Sequence, residues 1–433
     1  MLFWIGQIYF SNKQMFRTIK YKNGESYLLS CNMYFVIFTV CTAPVFLGSL
    51  SLLKYGLWFV TVLLLLFTGK VRTKFEITTV LYVVFFLWLC YTMTYTTATR
   101  DGVMMLIKYS LPMLFLWLGY SGLNNEKDLI IFLKVVNVVA CVYCLLIGGQ
   151  GWKMMPWLYY SPIGALFSKY AAFADYLTAI FIVPILLYWL TKEKKYIFCA
   201  VWMVLSTVLE SVRTGMGGMM LVFAFAMVLR YKIKAIPGLF FAGILFLVII
   251  LFVPNVNEKF FGDAAGKVSA TDIVQGNVMS LDNIEMNGRE YIWKKVKEDC
   301  YYGNELTGKG LGETEHYSKI QTYTKDILKV HNDYLILLCD TGNVGIILLI
   351  IFYISVIIKV SSHVMLRRCN PLVKLTGIMA LSSMAGIAFC MYFDNVVSNS
   401  MQSMVMPYIY LGFFLKALDI ESKNKNFRTF IHN

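Results

Sequence analysis

Long apolar runs alternate with short polar segments along most of the chain. The runs are about 17 to 25 residues long and rich in Leu, Phe, Val and Ile, which predicts helices that span a bilayer. Strands of a membrane barrel would instead show segments of about 10 residues with alternating character. The pattern therefore predicts an all-α polytopic membrane protein with about 12 transmembrane helices, the first two forming a hairpin that turns near residues 51–54.

One long hydrophilic segment, residues 254–333, interrupts this pattern. Apolar runs flank it on both sides, so it has to form a loop or small lobe on one membrane face, with short helices of its own. The segment separates residues 1–253, with about nine predicted transmembrane helices, from residues 334–433, with about three more and a tail.

The distribution of positive charge predicts the orientation. Lys and Arg residues of the short loops cluster on the side where helix alternation places both termini, and the positive-inside rule makes that side cytoplasmic. The long polar segment then lies on the outer face. This topology, rather than nucleic-acid binding, accounts for the net charge of +14. A composition with 58% hydrophobic and 15% charged residues excludes an ordinary soluble domain.

An arginine, Arg213, lies between two apolar helices. An unpaired guanidinium is costly in lipid, so Arg213 has to face a partner, a cavity or the interface. It pairs with Glu210, extends its charged end to the interface, or binds an anionic ligand. The ligand is favoured because Gly215 lets the backbone approach closely beside donors that suit phosphate oxygens. The neighbouring Thr214 is a candidate for orienting sugar or phosphate.

A second arginine, Arg289, lies at a predicted helix start inside the polar segment. Asn287 and Glu290 have the spacing of a capping-box variant, and Trp293 begins an apolar stripe. The charge of Arg289 in the first turn would add to the positive end of the helix, which attracts phosphates. A solvated surface arginine is the alternative.

A histidine, His331, lies where the polar segment meets the next apolar run, followed by Asn332 and Tyr334. A histidine here can accept a proton near neutral pH, and Asn332 can cap the helix, although a purely structural histidine fits equally. No metal-ligand spacing recurs around His316 and Glu313, so no metal site is predicted.

Several motifs occur in a defined order along residues 197–360. They are Arg213-Thr214-Gly215, Gly288-Arg289 with Trp293, the glycine-rich residues 308–312, and His331-Asn332 with Tyr334 and Leu335, followed by Gly342 and Gly345. This order resembles the O-antigen ligase family and the related O-antigen polymerases. One departure is Val212, since the family often has serine directly before the arginine.

The resemblance implies a glycan transferase at the periplasmic face of the bacterial inner membrane. The donor would be a glycan on undecaprenyl diphosphate, and the acceptor a hydroxyl of lipid A-core in a ligase or another lipid-linked repeat in a polymerase. The implied partners are these glycans and the surrounding lipids, without a cofactor, a metal or nucleic acid.

The resemblance also implies residue roles. Arg213 and Arg289 would hold the diphosphate, where guanidinium groups stabilise the negative charge of the transition state. His331 would act as general base on the opposite face of the sugar, which predicts inversion at the anomeric carbon. The candidates for binding donor or acceptor are Thr214, Asn332, Tyr334 and Trp293.

Other classes remain open on the sequence alone. A polysaccharide transporter is the main competitor, but transporters place ionisable groups near mid-membrane, where this chain offers Lys108 and Asp175. A noncatalytic membrane scaffold is a further alternative. Between ligase and polymerase, the single large outer loop favours a ligase.

Overall fold

The computed structural model describes residues 18–20, 26–45, 51–151, 170–261, 289–323, 329–366, 369–399 and 401–431. The first described elements are two short strands, β1 (Thr18–Lys20) and β2 (Ser26–Leu28). The helices before the polar segment are α1 (Cys31–Thr42), α2 (Ser51–Phe67), α3 (Ile77–Thr92), α4 (Thr99–Gly122), α5 (Glu126–Gly151), α6 (Tyr170–Ile180), α7 (Ile182–Thr191), α8 (Lys195–Leu209), α9 (Arg213–Tyr231) and α10 (Ile236–Phe252). The remaining helices are α11 (Pro254–Phe261), α12 (Arg289–Val296), α13 (Glu313–Tyr323), α14 (Asp333–Ser361), α15 (Pro371–Phe393), α16 (Val396–Asn399) and α17 (Met401–Ile431).

The predicted class of a helical, multi-pass membrane protein is confirmed. In the described residues, 7 helical segments are long and apolar enough to cross a membrane, and four shorter apolar helices lie among them. The predicted number of about 12 spans requires each shorter helix to cross and residues 213–252 to cross twice, so it stays a prediction. The antiparallel pairing of β1 with β2 was not predicted.

Residues 213–252 form two helices because the backbone breaks at Lys232. Lys232 has a φ of 55°, in the left-handed region that ends a right-handed helix, and a 3-10 turn follows. Pro237 lies at the start of α10, where its missing N–H costs nothing. The sequence pattern had placed the division at this basic cluster.

The first hairpin turns earlier than predicted. Helix α2 already begins at Ser51, so Lys54 lies inside it rather than in the turn. The Lys54 ammonium donates to the carbonyl oxygens of Ala43 (3.2 Å) and Val45 (3.0 Å), which follow α1. A buried lysine can thus satisfy carbonyls that a helix end leaves without partners. The aromatic, proline-containing segment at residues 149–169, which the sequence pattern predicts to lie in the headgroup layer, falls almost entirely outside the described residues.

Helix α15 is the centre of the C-terminal bundle, packed between α9, α14 and α17. Small residues allow this close packing, as is common in membrane bundles. A Cβ on Gly217 would lie 2.5 Å from Cε1 of the Phe389 ring, and one on Gly218 would lie 2.9 Å from Cys390 Sγ. Helix α9 therefore lies directly against the second half of α15.

Helix α14 is interrupted at Gly342, and the glycine-rich loop at residues 308–312, with residues just before it, makes hydrogen bonds to the interrupted backbone. Gly342 has φ 67° and ψ −170°, so its neighbours lose helical hydrogen bonds. The loop supplies partners, since Lys309 N–H donates to Cys339 O (2.9 Å) and Asn343 N–H donates to Glu305 O (2.8 Å). The glycines at 308–312 that carried part of the family resemblance thus belong to a structural clamp on α14.

Two buried carboxylates fix this clamp to the bundle. Asp340 accepts hydrogen bonds from the N–H groups of Gly312 (2.8 Å) and Thr314 (2.9 Å). Glu313 accepts from Ala98 N–H (2.9 Å) and from Thr97, at the start of α4. Burial alone would raise the pKa of Glu313, but these hydrogen bonds outweigh burial and hold the pKa below its ordinary value. The clamp therefore joins α4, α13 and α14.

Candidate functional site

Two of the predicted site residues meet at the end of α15. Arg289, the first residue of α12, donates from its guanidinium to Phe393 O at 2.7 Å. His331, just before α14, lies with Nδ1 3.0 Å from Asp394 Oδ1. Phe393 and Asp394 are consecutive, so the structure brings Arg289 and His331 together, although 42 positions separate them in the sequence.

Arg213 lies at the same end of the bundle. It starts α9, and the next residue, Thr214, accepts a hydrogen bond from Cys390 Sγ at 3.7 Å. Cys390 is about one helical turn before Asp394, so Arg213 begins its helix beside the region that holds the other two residues. Its guanidinium also lies 5.8 Å from the centroid of the Phe260 ring, on α11.

The backbone around His331 is shaped by a helix cap. Asn332 Oδ1 accepts the Leu335 N–H at 2.9 Å, so Asn332 caps α14, the use that the sequence had offered for it. Directly before it, His331 has a φ of 50°, in the left-handed region. Such a conformation costs a non-glycine residue about 1–3 kcal/mol and persists where the surroundings impose it.

Asp394 determines which nitrogen of His331 carries the proton. An ionised carboxylate only accepts hydrogen bonds, so the Nδ1 facing it has to be the protonated nitrogen of a neutral imidazole. Nε2 is then left with a lone pair. Asp394 is nearly buried and also accepts the Asn395 N–H at 2.7 Å, which fixes its position. The arrangement can accept a proton at Nε2 and stabilise the resulting imidazolium.

The guanidinium of Arg289 is held in a partly buried position. Burial lowers the pKa of Arg289, while the nearby Asp394 opposes that effect, and an arginine stays charged under both influences. A guanidinium has five N–H donors, so one bond to Phe393 O leaves it able to bind phosphate oxygens. Asn287 and Gly288, which carried the predicted cap of this helix, lie outside the described residues.

Trp293 and Tyr334 use their polar groups to hold the site together. Trp293 Nε1 donates to Val330 O at 2.7 Å, and its ring meets Tyr392 edge-on with centroids 5.7 Å apart. Tyr334 donates its hydroxyl hydrogen to Ala388 O at 3.0 Å. Both residues therefore connect the elements that carry Arg289 and His331 to α15.

The ion pair between Glu210 and Arg213 that the sequence left open is not formed. Both residues are described, and Glu210 Oε1 is buried without a hydrogen-bond partner. Burial raises the pKa of Glu210 to about 8, although Lys259 lowers it somewhat. The carboxyl of Glu210 is therefore largely neutral near pH 7.

Sequence reasoning did not place Asp394 in the site, because its contact with His331 spans 63 positions. From the sequence, Asp333 could cap α14 as well as Asn332, and the structure gives that cap to Asn332. Asp333 is buried at the start of α14, where Oδ2 accepts the Val397 N–H at 2.9 Å. Its acidic residue type at a helix start was the available signal. Among the described residues, no group of three or more His, Cys, Asp or Glu side chains could hold a metal ion.

Comparison with known families agrees with this geometry. Residues 198–350 match the family model described as O-antigen ligase, which confirms the resemblance over that span. The match includes Arg213, Arg289 and His331. No similar sequence was found among curated proteins. The fold and the match together indicate a multi-pass membrane glycosyltransferase of the O-antigen ligase and polymerase type.

Proposed function

We propose that the protein transfers a glycan from undecaprenyl diphosphate to a hydroxyl of lipid A-core, as an O-antigen ligase. One observation carries this proposal: the His331–Asp394 pair and Arg289 lie together at the end of α15. Arg213 begins the adjacent helix α9. A base and two guanidinium groups are the groups that transfer from a diphosphate needs.

In the proposed reaction, His331 Nε2 removes the proton of the acceptor hydroxyl as its oxygen attacks the anomeric carbon. The bond between that carbon and the diphosphate oxygen breaks, and its electron pair leaves with the diphosphate. Asp394 is a positioning residue, because it holds the imidazole in the productive tautomer and stabilises the imidazolium.

Arg289 and Arg213 would act on the leaving group. Negative charge on the diphosphate grows as the glycosidic bond breaks, so positioned guanidinium groups bind the transition state more strongly than the ground state. A single displacement of this kind inverts the anomeric configuration, and a retained linkage from a defined donor would contradict it.

The proposal includes an orientation. Residues 254–333 would form a periplasmic lobe of an inner-membrane protein, with residues 1–253 and 334–433 as its two transmembrane parts and both termini in the cytoplasm. The basic cluster at Lys232 supports this, because it lies at the opposite end of α9 from Arg213.

The glycolipids of a deletion strain test this function. Loss of a ligase leaves bare core and accumulated lipid-linked polymer, and a plasmid copy of the gene should restore the polymer on the core. Core that carries a single repeat would instead identify the related polymerase, which extends a lipid-linked repeat. Glycan released without a new glycosidic bond would identify a transporter.

A further inference from the structure

A cavity lies between the first turns of α4 and helix α13. Its volume is about 680 Å³, within the range of about 300–1,000 Å³ typical of small-molecule sites. The ionisable side chains of its lining are Arg100, Asp101, Lys108, Glu315, His316 and Lys319. Methionines 104 and 105 and Ile320 supply apolar surface. Neither Arg213 nor Arg289 lines it.

The walls of this cavity are held in place by ion pairs. Lys319 Nζ lies 2.6 Å from one carboxylate oxygen of Asp101, and His316 Nδ1 lies 3.3 Å from the other. Glu315 lies 3.8 Å from Lys319. Glu313, the first residue of α13, holds the start of α4 by the hydrogen bonds described above. These contacts hold α13 against the start of α4.

Helix α4 lines the cavity and also packs against α16, the short helix that begins two residues after Asp394. Lys108 lies about two turns further along α4 than Asp101 and interacts electrostatically with both Asp101 and Asp333. Asp333 is two positions from His331 and interacts in turn with Asp394. The cavity therefore lies on the α4 side of the base, whereas the two arginines are on α9 and α12.

The lining fits a saccharide better than an isolated anion or cation. Basic donors and carboxylate acceptors are interspersed, and sugar hydroxyls both donate and accept hydrogen bonds. A phosphate site would not include two carboxylates, and a cation site would not include two lysines and an arginine. We propose that this cavity binds the saccharide end of the acceptor and presents its hydroxyl to His331, an inference that rests on the proposed function.

A blocking substitution with a matched control tests the inference. Met104→Trp would fill part of the cavity, whereas Val103→Trp adds the same bulk at an adjacent, exposed position that does not line it. The full-length protein in proteoliposomes is given an undecaprenyl diphosphate-linked glycan. The acceptor probe is rough lipopolysaccharide or a second lipid-linked repeat, whichever the wild type extends.

We expect Met104→Trp to raise the KM for the acceptor at least about 10-fold while the donor KM stays within about twofold, because only acceptor binding is obstructed. Val103→Trp should match the wild type. Wild-type acceptor KM in a folded Met104→Trp protein would overturn the inference and leave the proposed function standing. Failure of the wild type to extend either acceptor would overturn the proposed function itself.

A milder variant covers the case in which Met104→Trp does not fold. Glu315→Ala removes one polar group from the cavity, and Glu298→Ala removes an exposed glutamate of the same lobe outside it. A rise in acceptor KM for Glu315→Ala alone supports the inference. Equal acceptor KM values for both variants overturn it.

Discussion

At the scale of single residues, the contact between Asp394 and His331 decides what the histidine can do. The carboxylate requires a proton on Nδ1 and leaves Nε2 able to accept another proton. A neutral histidine without this partner would carry its proton on Nδ1 in only part of its population. Arg289 is bonded to the residue before Asp394. The proposed base and one proposed phosphate-binding group are therefore held by two consecutive residues, Phe393 and Asp394.

Asp394→Asn tests the role of this carboxylate. The amide can donate to Nδ1 and so favours the wrong tautomer, and we expect kcat to fall about 10- to 100-fold, as for other residues that orient a functional histidine. The donor KM should not change, because Asp394 does not contact the diphosphate in this account. A fall in kcat accompanied by an equal loss of donor affinity would assign Asp394 to the general structure instead.

Arg289→Lys tests bidentate binding of the diphosphate by the guanidinium. A lysine keeps the charge but replaces a planar fork of donors with a single ammonium, so we expect at least about 10-fold slower transfer. Arg72→Lys makes the same change at an exposed position far along the chain from the site motifs and should have no effect. Near-normal transfer by the Arg289→Lys protein would remove this residue from the site.

At the scale of elements, the broken helix α14 and its glycine-rich clamp position the start of that helix. The break at Gly342 is stabilised by loop residues about 35 positions earlier, and Asp340 is bonded to the same loop. His331 precedes this helix, so the clamp contributes to its placement.

Gly342→Ala should destabilise the protein. A Cβ there would collide with Leu306 O, and a φ of 67° is itself unfavourable for alanine. We expect a loss of at least about 2 kcal/mol of stability, seen as a lower unfolding temperature in detergent. Gly243→Ala is the control, since no atom lies within 4 Å of its added Cβ. Equal unfolding temperatures for the two variants would contradict the clamp.

Glu313→Gln gives a pH-dependent readout of the clamp. The folded-state pKa of Glu313 is lowered, so its ionised form stabilises the fold above the unfolded pKa of about 4.3, and that stability is lost as pH falls through the lower folded value. The variant should therefore unfold at a lower temperature than the wild type at pH 7, with a smaller difference below about pH 4. A difference that does not depend on pH would contradict this assignment.

At the scale of the whole molecule, the sequence predicted the helices well because apolar length is a local property. The apolar runs at residues 102–120 and 334–358 form helices Thr99–Gly122 and Asp333–Ser361. The contact of Asp394 with His331 and the break at Gly342 could not be predicted, because both depend on packing between distant segments. Charge and position alone singled out Arg213, Arg289 and His331, but only the family resemblance predicted that they act together.

The orientation is testable with reporter fusions. Alkaline phosphatase inserted within residues 262–288 should be active, and a fluorescent protein at the C-terminus should fluoresce, because the basic loops favour the cytoplasm. The reverse pattern would place the His331 site on the cytoplasmic side and contradict the proposed function.

Substitution of His331 by alanine tests the central claim most directly, when binding and transfer are measured on the same purified protein in proteoliposomes. The account predicts that His331→Ala binds the lipid-linked donor with nearly wild-type affinity but transfers its glycan roughly 100-fold more slowly, the usual scale for loss of a general base. Loss of donor binding together with transfer, or transfer at the wild-type rate, would contradict it.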